Sequence, residues 1–130
     1  MSLNTNVKTI LVVDDEPVLR AIVREILHEE GYAVIEAADG RVMLEIMARE
    51  RPDLVLMDVM MPGVDGRDAY RQLRSRPENR DVPVVMMSAA VQSHGLDPSI
   101  AGFVPKPFDI TDLIELVTRL IGHPNSSNAT

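Results

Sequence analysis

Short, almost wholly apolar runs alternate along the chain with segments whose apolar residues recur at helical spacing. That alternation is the signature of a parallel α/β sheet. Runs that are apolar at nearly every position predict strands covered on both faces, because a strand with one wet face would alternate. Thr9 to Val13 reads as a first strand, Tyr32 to Glu36 as a second, Leu54 to Met57 as a third, Pro83 to Met87 as a fourth and Gly102 to Pro105 as a short fifth. The first helix opens at Asp15-Glu16-Pro17, where a proline in the first turn is well tolerated, and Gly31 stops it. Its Val18, Leu19, Ile22, Val23, Ile26 and Leu27 form two rows at i, i+4, read as a stripe facing a core. Asp39 is expected to cap a second helix that turns Met43, Leu44 and Met47 inward, and Asp65 a third that runs to about Leu73. Asp109 caps a last helix with the stripe Ile110, Leu113, Ile114, Val117, Leu120 and Ile121. The segment Val91-Gln92-Ser93-His94-Gly95-Leu96-Asp97-Pro98 holds a glycine and a proline, so the fourth helix of the series is expected to be short or irregular.

Composition narrows the function classes. A chain of 130 residues, 45% hydrophobic and 25% charged, predicts one soluble globular domain. Its expected limits are residues 8–122, with a disordered lead over 1–7 and a polar, disordered tail over 123–130. The formal net charge of -7 disfavours direct binding to nucleic acid or to anionic membrane. No apolar stretch approaches the roughly 20 residues of a membrane span, and the amino terminus lacks a signal-peptide core. The absence of cysteine excludes disulfides, thiolate chemistry and zinc–thiolate sites, and fits a cytoplasmic location.

The candidate chemistry lies where the predicted strands end. Asp14 and Asp15 follow the first, Asp58 the third, Ser88 the fourth and Lys106 the fifth. In a parallel sheet those ends converge, and ligands bind beyond them. Like charges 4 Å apart repel by about 4 kcal/mol per pair at an effective dielectric of about 20. Three carboxylates in one pocket therefore call for a divalent cation, and Mg²⁺ suits carboxylates and water. Taken singly, each residue has an ordinary explanation: Asp14-Asp15 as a helix cap, Asp58 as a turn residue, Ser88 as a cap, Lys106 as a solvated lysine. Their occurrence together, each after its own strand, favours a site for metal-assisted phosphoryl chemistry. Met57, Met60, Met61, Met86 and Met87 read as adaptable packing, and Arg20, Arg24, Arg67 and Arg71 as residues of solvated helix faces.

Four segments carry a resemblance to a known family: Val12-Val13-Asp14-Asp15-Glu16, Leu56-Met57-Asp58-Val59-Met60-Met61-Pro62-Gly63-Val64-Asp65-Gly66, Ser88-Ala89-Ala90 and Pro105-Lys106-Pro107-Phe108. From about Lys8 to Ile121 the chain resembles the receiver domain of response regulators in two-component signal transduction. The resemblance implies a flavodoxin-like (βα)5 fold, a doubly wound parallel five-stranded sheet of order 2-1-3-4-5. It also implies that Asp58 is the phosphoacceptor and that Asp15, Asp58 and the Met60 backbone carbonyl bind Mg²⁺, with Asp14 acting largely through water. Lys106 would contact the phosphoryl group, Ser88 would be the switch hydroxyl and Phe103 the switch aromatic, and the Lys106-Pro107 bond would be cis. The phosphoryl donor would be a histidine kinase or a histidine phosphotransfer protein, and the output a contact with an unknown downstream protein. Such a phosphoprotein is a signalling module of a phosphorelay rather than an enzyme, though it assists its own phosphorylation and dephosphorylation.

Two departures from that family stand out. The stretch between Ser88 and Lys106 is several residues short, which puts in doubt the dimer face built from the family's fourth helix, fifth strand and fifth helix. Met60 and Ala90, each two places past a site residue, are non-polar and cannot directly orient a hydrolytic water, so slow autodephosphorylation is expected. Little follows the last helix, so no output domain is expected in this chain. The competing readings are a Mg²⁺-dependent aspartyl-phosphate hydrolase, which would want an acidic residue where Met60 stands, and a phosphorylation-independent interaction module.

Overall fold

The computed structural model describes residues 7–61, 65–89 and 96–124. Five parallel strands form one sheet: β1 (Thr9–Val13), β2 (Ala33–Ala37), β3 (Leu54–Asp58), β4 (Val84–Ser88) and β5 (Gly102–Pro105). Their order is β2-β1-β3-β4-β5, the doubly wound, flavodoxin-like arrangement expected. Among the described residues the helices are α1 (Pro17–Glu29), α2 (Gly40–Glu50), α3 (Gly66–Arg74) and α4 (Ile110–Ile121), with one 3₁₀ turn at Pro77–Asn79. The irregular helix expected after Ser88 falls mostly on residues 90–95, which lie outside the described residues, as do 1–6 of the lead and 125–130 of the tail.

Side chains leave a strand with a period of two, which explains both the layering and the continuous apolar runs. Leu11, Val13, Val55, Met57 and Met86 meet Met43 and Met47 of α2 and Tyr70 and Leu73 of α3. Ile10, Val12, Leu56, Val85 and Met87 meet Val23 and Leu27 of α1 and Leu113 and Val117 of α4. Every residue of β3 and β4 is buried. The two polar residues among them, Asp58 and Ser88, come last in their strands, at the carboxyl-terminal edge of the sheet.

Local chemistry sets the helix ends. Asp39 accepts from the Val42 N–H at 2.9 Å, Asp65 from Arg67 at 2.7 Å, and Asp109 from Thr111 at 2.8 Å, so all three expected caps form. α1 closes with Gly31 at φ 105°, its N–H on the His28 carbonyl and the Tyr32 N–H on that of Leu27. Because the Tyr32 N–H is spent on that cap, β2 begins one residue later than the apolar pattern suggests. Lys8 N–H donates to the Pro124 carbonyl at 3.0 Å, holding the two ends of the described chain side by side.

The apolar stripe of α1 is wider than its core contact. Val23 and Leu27 are buried, whereas Val18 is 73% and Ile22 48% exposed. The two rows diverge by about 100° around the helix, and the sheet takes only one. The other row, Val18, Ile22 and Ile26, forms with Ala21 and the half-exposed Ile110 an apolar groove beside the start of α1. In α4, Leu116 rather than Ile110 completes the buried face.

Candidate functional site: an acidic pocket at the strand ends

Asp14, Asp15, Asp58, Ser88 and Lys106 meet at the carboxyl-terminal edge of the sheet. Asp14 follows β1 and prolongs its ladder through an N–H bond to the Ala37 carbonyl at 3.1 Å. Asp58 ends β3 opposite Met87, and Ser88 ends β4 opposite Pro105. Lys106 follows β5, with its N–H on the Ser88 carbonyl at 3.0 Å and a cis bond to Pro107. Asp14 and Asp58 are buried, and Asp15 is half-buried. Each offers a carboxylate oxygen, and these atoms all lie within 4.8 Å of one another.

Among the described residues one ammonium serves this cluster. Lys106 Nζ donates to Asp14 Oδ2 at 3.0 Å and to Asp58 Oδ2 at 3.1 Å. Asp14 Oδ1 accepts from the Glu16 N–H at 2.9 Å, and Asp58 Oδ1 from the Met60 N–H at 3.1 Å. Burial pushes the Asp58 carboxyl above the ordinary aspartate value, the charge of Asp14 adds to it, and the bonds from Lys106 and Met60 only partly offset the rise. For Lys106, burial opposes the ammonium, but the bonds and charges of Asp14 and Asp58 outweigh it and raise the pKa. Three carboxylates against one ammonium leave the pocket short of positive charge.

The donor set fits a hard divalent cation. Oxygens on one Mg²⁺ lie at most about 4.2 Å apart, twice its bond length of about 2.1 Å. A carboxylate cluster within 4.8 Å needs only slight closure to reach that. Met60 is itself 59% exposed, with its backbone at the pocket's rim through the bond to Asp58. Gly66 brings α3 against the same backbone: its N–H donates to the Val59 carbonyl at 2.8 Å, and an added Cβ would come 2.6 Å from the Asp58 carbonyl oxygen. Only glycine fits there.

Ser88 is 4% exposed at the end of β4, its carbonyl bonded to the Lys106 N–H. Phe103 sits opposite Met86 on β5, half-buried against the cluster that holds Tyr70. Ala90 lies outside the described residues. Met57, Met61, Met86 and Met87 are buried in the core as expected, and Met60 alone of the five is not.

Arg20 corrects the sequence reading. Far from lying on a solvated face, its side chain is 18% exposed, donates from NH1 to the Asp14 carbonyl at 2.7 Å and from Nε to Glu36 at 2.9 Å. Arg24 NH1 holds the other oxygen of Glu36 at 2.8 Å. Burial alone would raise the Glu36 pKa, but the two arginines outweigh it and lower the value. A glutamate inside an otherwise apolar strand, with two arginines at i, i+4 on the preceding helix, was the available signal.

Residues 10–118 match the family described as the response regulator receiver domain. The chain is 40% identical over 116 residues to the response regulator MprA of Mycolicibacterium vanbaalenii, covering 86% of this chain and 49% of that one. With MprA of Mycobacterium leprae it shares 37% over 124 residues, 92% of this chain and 54% of that one. It thus spans about half the length of these curated relatives. Among solved structures it is similar to the receiver domain of sensor histidine kinase PA1611 from Pseudomonas aeruginosa, with magnesium coordinated in that protein's active-site cleft (TM-score 0.81, 33% identity, 88% of this chain and 98% of that one). It is also similar to the chemotaxis response regulator CheY4 of Vibrio cholerae (TM-score 0.79, 29% identity, 88% and 98%).

Proposed function

This chain belongs to the response regulator receiver domain family, and on that premise we propose that Asp58 accepts a phosphoryl group from a phosphohistidine donor. The observation that carries this reading is the buried Asp58 carboxylate, 3.1 Å from Lys106 Nζ and clustered with Asp14 and Asp15. An Asp58 oxygen attacks phosphorus in line, the N–P bond to the donor imidazole breaks, and the imidazole recovers a proton from solvent. A carboxylate and a phosphoryl group repel, so the reaction needs positive charge on the equatorial oxygens. Lys106 supplies part of it from a position already beside Asp58. Mg²⁺, held by Asp15, Asp58 and the Met60 carbonyl with Asp14 acting largely through water, would supply the remainder.

Phosphorylation then places oxygens where the Ser88 hydroxyl can donate to one of them. Phe103, on the neighbouring strand, is the aromatic through which that movement reaches the sheet edge. The donor is a histidine kinase or histidine phosphotransfer protein. The apolar groove of Val18, Ile22 and Ile110, lined from the start of the helix that follows Asp15, suits its docking. The output is a change of protein contacts with a downstream partner rather than direct nucleic-acid binding. No helix among the described residues is long and apolar enough to cross a membrane, and we assign the domain to the cytoplasm.

The test is incubation with Mg²⁺ and a small acyl-phosphate donor. A stoichiometric, base-labile adduct on Asp58, abolished in Asp58→Asn, is expected. Absence of any adduct on the wild-type chain would overturn the assignment.

A further inference from the structure

The acidic pocket has a support that the transfer reaction does not itself use. Arg20, one turn into α1, spans from the β1–α1 junction to β2. Its guanidinium is fixed on both sides, by the Asp14 carbonyl at 2.7 Å and by Glu36 Oε1 at 2.9 Å. Arg24 holds the second oxygen of Glu36 at 2.8 Å and so favours the same position. The planar fork of an arginine makes this double grip possible, where the point charge of a lysine would not.

What Arg20 grips is the peptide unit joining Asp14 to Asp15. That unit is planar, so holding its carbonyl oxygen also fixes the direction in which the Asp15 Cα is presented. Asp14 has every oxygen occupied: Oδ1 by Glu16, Oδ2 by Lys106 and its carbonyl by Arg20. The Asp15 carboxylate has no hydrogen-bond or ion-pair partner among the described residues, so its aim depends on its backbone.

We propose that Arg20 is a positioning residue, anchored by Glu36, that orients the Asp14–Asp15 peptide so that the Asp15 carboxylate meets Asp58 in a geometry fit for a divalent cation. The role rests on the receiver reading of the pocket. It is orientational: the guanidinium meets Asp14 through the backbone carbonyl, not the carboxylate, and its other side is held by Glu36, which it shares with Arg24.

Titration calorimetry with Mg²⁺ on the intact chain reads the effect directly, and phosphoryl accumulation from acetyl phosphate against Mg²⁺ concentration reads it independently. Substitutions of groups that orient metal ligands cost about 10–100-fold in affinity. Arg20→Ala should sit near the lower bound, about tenfold weaker, with half-saturation of phosphorylation displaced equally and the rate at saturating Mg²⁺ preserved within about twofold. Glu36→Ala should move affinity in the same direction by less, and Arg20→Lys should fail to restore it. Unchanged affinity in folded Arg20→Ala overturns the proposal, and so does full restoration by lysine, which would make the role one of charge. Should Arg20→Ala unfold, Glu36→Ala decides, and wild-type affinity there overturns the proposal. A wild-type chain that neither binds Mg²⁺ nor labels Asp58 sinks the receiver reading as well. A labelled wild type with an indifferent Arg20→Ala sinks only the positioning role.

Discussion

At the scale of single residues, the pocket trades stability for readiness. The raised pKa of Asp58 means that its ionised form is less favourable in the folded chain than in the unfolded one. Stability is therefore lost as pH rises through the folded value, and Asp58→Asn should raise the metal-free melting temperature by a few degrees; an unchanged or lower melting point would contradict this. Glu36 has the opposite sign. Its lowered pKa adds stability above the unfolded value, lost as pH falls through the folded one. In acid titrations followed by circular dichroism, Glu36→Gln should flatten that part of the wild-type profile. Asp14, Asp15 and Asp58 were legible in the sequence because each breaks an apolar run at a strand end. Arg20 was not, because its partners, Glu36 and the Asp14 carbonyl, belong to other elements, and helical periodicity alone sorts an arginine to the wet face.

At the scale of elements, close backbone approach and helix faces decide what the sheet can hold. Gly66→Ala would drive a methyl group into the Asp58–Val59 backbone. Overpacking of this kind costs about 1–3 kcal/mol, and the displaced Asp58 should lose most of its phosphoryl uptake even where the variant stays folded, as thermal melts and labelling together will report. The exposed row of α1 leads to a separate expectation. Val18→Glu should slow transfer from a protein donor at least severalfold while leaving uptake from acetyl phosphate unchanged; equal slowing of both would remove the groove from the docking surface. The helix boundaries were readable from caps at Asp39, Asp65 and Asp109. The burial of α1 was not, because two apolar rows look alike in sequence, and only the crossing of α1 over the sheet chooses between them.

At the scale of the whole molecule, five parallel strands bring together residues from positions 14 to 106, and no local interaction does so. The apolar runs predicted the strands, and the resemblance to receiver domains predicted their order. The same convergence concentrates negative charge that folding alone must hold. A ligand that binds only the folded state at a hundred times its dissociation constant adds about 2.7 kcal/mol. Mg²⁺ should therefore raise the melting temperature appreciably, a chelator should reverse the gain, and Asp15→Asn should abolish it. The bond from Lys8 to Pro124 has a consequence of another kind. Both ends of the described chain leave from the pole where the strands begin, opposite the pocket. A fluorescent reporter, a surface tether or a neighbouring domain joined at either end would stand clear of an incoming donor. A short linker between the ends would allow new termini to be opened elsewhere, turning the domain into a circularly permuted sensor with its reactive edge untouched.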